Sequence, residues 1–314
     1  MAEMKKRSWI LIGLLGLVLL AAGLYGGHTY QVSMDHAARE RSARVRTVTA
    51  KKAAAQISQS EKKARALAKK AKPGAAQAAP VKSDRIPVSQ WHQASAPVRF
   101  PILMYHDIGV GNTLMMPADQ LKNQLTWLKQ AGYYELTPSE AYTVLSTNRV
   151  PQDKIVWITF DDGYRAMATL GLPLFKATKS RVTVNEISGS VGSSWNLTEA
   201  MIKTMQAAGV DFASHTVSHL ELNKLPAARQ QTELTDSRTD LGKILGTAPN
   251  TIAYPVGRYN DVTLQDAKSA GYQLGLTTTP GLAAASQGLY KLDRVRVNPG
   301  NTLVSFMNLL RTGF

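Results

Sequence analysis

From residue 101 to the C-terminus, short apolar runs alternate with longer stretches of helical periodicity. The runs predict strands at 101–105, 154–160, 181–187, 210–214, 251–254, 273–277 and 294–297. The stretches between them predict helices around 118–131, 138–146, 164–179, 198–208, 227–245, 261–270 and 302–310. Thr137-Pro138-Ser139-Glu140 reads as a helix start, with Thr as cap, Pro in the first turn and Glu reaching back. Gly132, Gly209, Gly246 and Gly271 follow predicted helix ends, where a left-handed residue is often required. Such alternation predicts an α/β fold, a mostly parallel sheet covered by helices. Seven strands point to an incomplete or distorted (β/α)7 barrel in place of the regular eight. In such folds reactive groups gather where the strands end.

Upstream the pattern changes. An uncharged apolar segment from Trp9 to about Tyr25 follows Lys5-Lys6-Arg7. Its length and basic flank predict a transmembrane anchor over 1–27, with the rest of the chain on the outer face. A cleaved signal peptide is the competing reading, since Ala21-Ala22-Gly23 offers small residues for cleavage. Residues 28–85 are rich in Ala, Lys, Arg, Gln and Ser and lack an apolar stripe, so they read as stalk and linker. The main folded domain is then 86–314.

Charge follows the same division. Of 37 Lys and Arg and 22 Asp and Glu, residues 1–100 hold 18 and 5. Residues 1–100 thus carry +13 of the net +15 and residues 101–314 only +2, which argues against nucleic-acid binding by the main domain. The stalk is either a solvated spacer or a cationic tether for anionic wall polymers or lipids. The chain has no cysteine, so any metal must be held by His, Asp or Glu.

Candidate chemistry lies just past three predicted strands. Ile155 to Phe160 is a continuous apolar run that ends in Asp161-Asp162-Gly163. Adjacent carboxylates at a strand end point in different directions, and both need compensation when desolvated. A cation is the simplest source, and a turn or helix cap is the plain alternative. Val210 to Ser214 leads into His215-Thr216-Val217-Ser218-His219, two histidines four apart. On a helical turn that spacing sets both imidazoles on one side. Two imidazoles and one carboxylate leave coordination positions open, as in catalytic metal sites. A third histidine, His106, follows the run 101–105 and precedes Asp107.

Thr159-Phe160-Asp161-Asp162-Gly163 followed by His215-Thr216-Val217-Ser218-His219 resembles the first two motifs of the polysaccharide deacetylases, carbohydrate esterase family 4. The resemblance implies a deformed (β/α) barrel that hydrolyses N-acetyl groups on glycans and releases acetate. It implies Asp162, His215 and His219 as ligands of a divalent ion, with zinc expected, and Asp161 as general base. The early His106 resembles the permuted subgroup acting on poly-β-1,6-N-acetylglucosamine, in which the acid histidine sits on the first strand. Asp107 would orient it or serve as a turn residue. The third motif departs from the family pattern. In Ala253-Tyr254-Pro255-Val256-Gly257 the arginine is replaced by Ala253 and the aromatic by Val256. The Val256 N–H can still act as oxyanion donor, and Arg294 is the candidate replacement for the arginine, with Arg258 or no residue at all as the other options. The fourth motif is absent between Thr277 and Leu292. Trp195, in a Gly- and Ser-rich loop, is expected to pack on the following helix, or else to stack on a sugar. The substrate expected is an acetylated surface polysaccharide, poly-N-acetylglucosamine or peptidoglycan. An O-acetyl esterase and a non-catalytic glycan-binding protein are the alternatives.

Overall fold

A computed structural model describes residues 85–314. Seven strands form its centre: β1 (Ile102–Tyr105), β2 (Ile155–Phe160), β3 (Thr183–Glu186), β4 (Asp211–Ser214), β5 (Thr251–Ala253), β6 (Leu274–Pro280) and β7 (Leu292–Arg296). Each is parallel to its neighbours, in the order β1-β2-β3-β4-β5-β6-β7, and β7 pairs with β1 to close the ring. A seven-strand parallel barrel is therefore present, at all seven expected places. Its distortion has a visible cause. The β4–β5 ladder is reduced to one registered pair, Ser214 with Ile252, and the β6–β7 register slips between Leu276 and Pro280.

The helices are α1 (Ala118–Gln130), α2 (Pro138–Thr147), α3 (Leu172–Thr178), α4 (Glu199–Ala207), α5 (Ala227–Leu245), α6 (Asp261–Ser269) and α7 (Leu303–Thr312). The cap before α2 forms as its sequence requires: Thr137 Oγ1 accepts the Glu140 N–H, and Glu140 Oε2 accepts the Thr137 N–H. The expected helix 164–179 is broken instead. Met167–Gly171 is a π turn and only Leu172–Thr178 is α-helical. Pro173 has no N–H for the carbonyl four residues back, and the wider turn absorbs that gap.

Alternation along the strands builds two apolar layers. Val156, Ile158 and Phe160 of β2 face outward, with Leu121, Leu125, Phe175 and Ile202 of the helices. Ile155 and Trp157 face inward, clustered with Ile102, Ala253, Leu274, Leu276 and Leu292. Trp157 fills the barrel, and its indole N–H donates to Thr183 Oγ1 at 2.8 Å. Above this plug the interior turns polar, with Thr159, Asn185, Asp161 and Arg294 all buried. Among the described residues no helix is long and apolar enough to cross a membrane. The anchor expected at 1–27 and nearly all of the 28–85 stalk lie outside the described residues.

Trp157 supports that polar layer from below, so Trp157→Ala is expected to cost about 3–5 kcal/mol. Urea unfolding of the variant checks this; a loss under about 1 kcal/mol would mean that the interior can close over the missing ring.

Candidate metal and acid–base site

The strand order brings together what the sequence separates by up to 188 positions, from His106 to Arg294. Asp161 and Asp162 follow β2, His215 follows β4, and His106 follows β1, all at the carboxyl ends. Arg294 lies within β7 and points inward to meet them.

Asp162 takes φ 74° and Gly163 φ 64°, so the chain turns sharply as soon as β2 ends. A side chain at residue 163 would be strained by that φ, and its Cβ would run into the Glu186 carboxylate, which would have to shift. Among the described residues six non-glycines have positive φ. Asn148 and Lys179 are helix C-caps, where this is ordinary. The other four are Asp162, Thr216, His219 and Val256, each in or beside the site. For a β-branched valine such a backbone is strained, and strain of this kind collects where function needs it.

The two histidines do not share a helical turn. Residues 215–219 form an irregular loop bent by Thr216 (φ 68°) and His219 (φ 54°). The loop is held by Glu233 of α5, which is fully buried and accepts the N–H groups of Val217 (2.9 Å) and Ser218 (2.8 Å). Arg229 grips the other oxygen of Glu233 at 2.7 Å. The rings still meet edge to face, with centroids 4.8 Å apart.

Asp162 Oδ1 stands 3.4 Å from Nε2 of His215 and 3.4 Å from Nε2 of His219. It is buried and accepts no hydrogen bond. His215 Nδ1 lies 2.7 Å from the Ala253 carbonyl, a contact that requires a proton on Nδ1 and leaves the Nε2 lone pair directed at Asp162. Ligand atoms about 2.0–2.1 Å from one ion at tetrahedral angles lie about 3.4 Å apart. The donor set, an orphaned carboxylate oxygen and two imidazole nitrogens, therefore fits a divalent ion such as zinc, although it does not select zinc over other first-row metals. The protein's own charges show the same attraction. Burial raises the Asp162 carboxyl pKa, but the adjoining His215 imidazole outweighs it and brings it below the usual range. Tyr164 beside it is pushed up to about 12 by burial and by Asp162.

Asp161 is held differently. Arg294 donates from both terminal nitrogens, to Oδ1 at 2.8 Å and to Oδ2 at 2.7 Å. Asn185 Nδ2 adds a donor to Oδ1 at 2.6 Å. Burial pushes the carboxyl up, but the guanidinium more than reverses this and keeps it ionised. Arg294 is itself fixed by the Thr277 carbonyl (2.7 Å) and Thr159 Oγ1 (3.1 Å). So Arg294, and not Arg258, occupies the bracing position left by Ala253. His106 Nε2 stands 4.0 Å from Asp161 Oδ2. Burial lowers its pKa while both aspartates pull it up. Asp107 is not a turn residue: it lies in a short strand, Asp107–Ile108, paired with Met115–Met116, and its Oδ1 accepts the N–H of Ile108. Val256, 53% exposed, lies in the turn Pro255–Gly257 past β5.

Sequence reasoning missed Asn185, Glu186 and Glu233. The first two carried a signal: consecutive polar residues inside a predicted buried strand. Glu186 is buried, neither carboxyl oxygen has a hydrogen-bond partner, and burial followed by the Asp162 charge raises its pKa well above normal.

Two outcomes follow for the supporting residues. Glu233→Ala is expected to free the histidine loop and weaken metal affinity about 10–100-fold, read by titration with a competing chelator; unchanged affinity would contradict the anchoring role. For Glu186, the folded state binds a proton that the unfolded state releases above about pH 4.3, so stability falls as pH rises toward the raised folded pKa. Glu186→Gln removes that loss. In chelator-treated protein its stability advantage should widen by about 1.4 kcal/mol per pH unit above that point, until the folded group itself ionises. A gap independent of pH in denaturant melts would count against it.

Residues 148–275 match the polysaccharide deacetylase family profile. The chain is 42% identical over 212 residues to YxkH of Bacillus subtilis, described as a polysaccharide deacetylase, covering 68% of this chain and 76% of that protein. It is 28% identical over 193 residues to poly-β-1,6-N-acetyl-D-glucosamine N-deacetylases of Staphylococcus aureus, covering 57% of this chain and 66% of theirs. Among solved structures, the Streptococcus pyogenes deacetylase PplD in complex with acetate aligns with a TM-score of 0.67 and 39% identity, over 68% of this chain and 99% of that one. IcaB from Ammonifex degensii has the same fold, with a TM-score of 0.60 at 23% identity, over 68% of this chain and 97% of that one. Motifs, barrel and relatives agree, and the chain belongs to the polysaccharide deacetylase family.

Proposed function

We propose that this protein is a metal-dependent N-deacetylase that removes acetyl groups from N-acetylglucosamine units of a cell-surface polysaccharide. One observation carries the reading. An orphaned Asp162 oxygen sits between two imidazoles, next to a second carboxylate locked by arginine, with His106 across from it. The name of the staphylococcal relatives and the early position of His106 favour a poly-β-1,6-linked substrate over peptidoglycan. The apolar segment at Trp9–Tyr25 supports a membrane-tethered location, where such polymers are met.

Asp162, His215 and His219 would hold the ion. When bound, it supplies an acidified water and polarises the acetamide carbonyl. The remaining work falls to the chain. Asp161, ionised by Arg294, accepts the proton of the attacking water. Its orientation is fixed at both oxygens, so little reorganisation is needed at reaction. The Val256 N–H donates to the oxygen that gains charge in the tetrahedral state, a role that requires no side chain. His106 delivers a proton to the departing amine, which cannot leave as an amide anion. The ring is confined by its burial and faces the Asp161 side of the site. The products are acetate and an amino sugar.

Acetate release from β-1,6-linked N-acetylglucosamine oligomers by metal-loaded protein tests the reading. Asp161→Asn should lose at least about 100-fold in kcat while still binding metal, because that carboxylate is a base and not a ligand. Arg294→Met should lower kcat with little change in KM, since it acts on Asp161 and not on substrate. Loss of metal binding in Asp161→Asn, or full activity in Arg294→Met, would overturn these assignments.

A further inference from the structure

The end of the barrel away from the metal site carries a cleft that the reaction does not use. Its volume is about 360 Å³, and its charged lining is Arg85, Lys129, Glu135, Lys176, Lys179 and Arg181. Arg181 stands just before β3, and Gly209 and Val210 lead directly into β4. Glu135, in the short strand Tyr134–Glu135, pairs with Val156 near the start of β2. The cleft therefore lies where strands begin, whereas the metal and acid–base groups lie where they end. Five of its six charged groups are cations, although residues 101–314 as a whole carry 19 basic and 17 acidic side chains.

Three of the cations are matched within the protein. Arg85 pairs with Glu140 and lies over the Tyr134 ring, 4.3 Å from its centroid. Lys129 Nζ donates to Glu135 Oε2 at 2.8 Å, and Arg181 Nε meets Asp211 Oδ2 at 3.1 Å. Among the described residues no carboxylate pairs with Lys176 or Lys179. Both belong to the end of α3: Lys176 is in its last turn and Lys179 is its C-cap. A helix carbonyl end carries about half a negative charge, so one lysine more than covers it and the second is surplus.

Glu135 adds a second, different requirement. Its side chain is 1% exposed. Oε2 accepts from Lys129 and from the Arg181 N–H at 2.5 Å, so its charge is balanced inside the cleft. Oε1 is buried and has no hydrogen-bond partner. A buried carboxylate oxygen without a donor costs free energy, and a hydroxyl placed against it recovers that cost. The lysines thus ask for an anion and Glu135 for a neutral donor, within one cleft.

We propose that this cleft binds a polyol phosphate, with the phosphate held by Lys176 and Lys179 and a hydroxyl of the polyol donating to Glu135 Oε1. Ammonium groups on flexible stems suit a phosphate as point charges. A simple anion would satisfy the lysines and leave Glu135 unpartnered, and an uncharged polyol would do the reverse. The cleft shares no residue with the metal site, so both can be filled at once. The proposal therefore stands apart from the deacetylase reading and describes a second binding site on the same domain.

Amine-acylation footprinting of the full chain, read by mass spectrometry, reports on Lys176 and Lys179 individually and is blind to anions bound elsewhere. Glycerol phosphate at about ten times its Kd should slow acylation of both lysines about tenfold. Glycerol should have no effect. Methyl phosphate, which has the charge but no polyol hydroxyl, should need about tenfold higher concentration for the same protection. In Lys176→Gln, protection of Lys179 by glycerol phosphate should likewise need about tenfold more ligand. Both lysines are exposed, so the fold is not at stake. Vesicles of phosphatidylglycerol, set against phosphatidylcholine, identify the source: protection by the former assigns the site to a lipid headgroup, and protection by the free ester alone assigns it to a soluble one. Acylation of both lysines unaffected by glycerol phosphate at millimolar concentration would overturn the proposal. Equal protection by methyl and glycerol phosphates would also overturn it, because the Glu135 contact would then be absent.

Discussion

The structure turns on one buried ion pair. Arg294 reaches into the barrel from β7 and grips both oxygens of Asp161 at the end of β2. Neither partner touches bulk water. A lone carboxylate in that place would take up a proton. The guanidinium does not give up its proton, so it holds the carboxylate charged. Such a pair does little for stability, because desolvation offsets the Coulomb gain. Its use is positional. The Thr277 carbonyl, Thr159 hydroxyl and Asn185 amide complete the shell, and the Trp157 plug lies in the layer below.

That pair lets two neighbouring carboxylates take different roles. Asp161 continues the inward alternation of β2 and meets arginine. Asp162 leaves the strand at φ 74° and meets two imidazoles. Glycine suits the next position, because its φ is left-handed too and the Glu186 carboxylate occupies the space a Cβ would take. Strain at Asp162, Thr216, His219 and Val256 is carried by a rigid surround of barrel ladders and the Glu233 anchor. One acid is kept from protons and the other is left with an open lone pair.

Much of this was legible along the chain. The period of the hydrophobic pattern located seven strands, and the Asp-Asp-Gly and His motifs fell at their ends because buried strands end where polar residues can be tolerated. What was not legible has physical reasons. The His215–His219 spacing is compatible with a helical turn, and only the buried Glu233 on a distant helix selects the loop actually formed. Pro173 carried a break signal that the uninterrupted helix expected over 164–179 did not take up, and nothing local marked the π turn that absorbs it. Trp195 was expected to be buried on general preference for apolar contact; it is 79% exposed, and the hydrogen bond from the Arg165 N–H to its carbonyl, which ties down the loop, is a backbone contact no composition records. Residues 1–84 carried separate expectations that the described domain does not bear on.

The displaced arginine shows why motif position and chemistry can part company. In a closed parallel barrel, inward-facing residues of several strands reach the same central volume. A guanidinium on β5 or one on β7 can meet the same carboxylate, provided the other position stays small. Ala253 and Arg294 satisfy that condition: the alanine is buried on β5 and its carbonyl holds the His215 ring, while the arginine crosses from β7. What the chemistry fixes is the end-on approach of two N–H groups to Asp161, and the strand that supplies them is free to vary. The altered third motif therefore does not argue for a lost activity, because the interaction it normally encodes is intact.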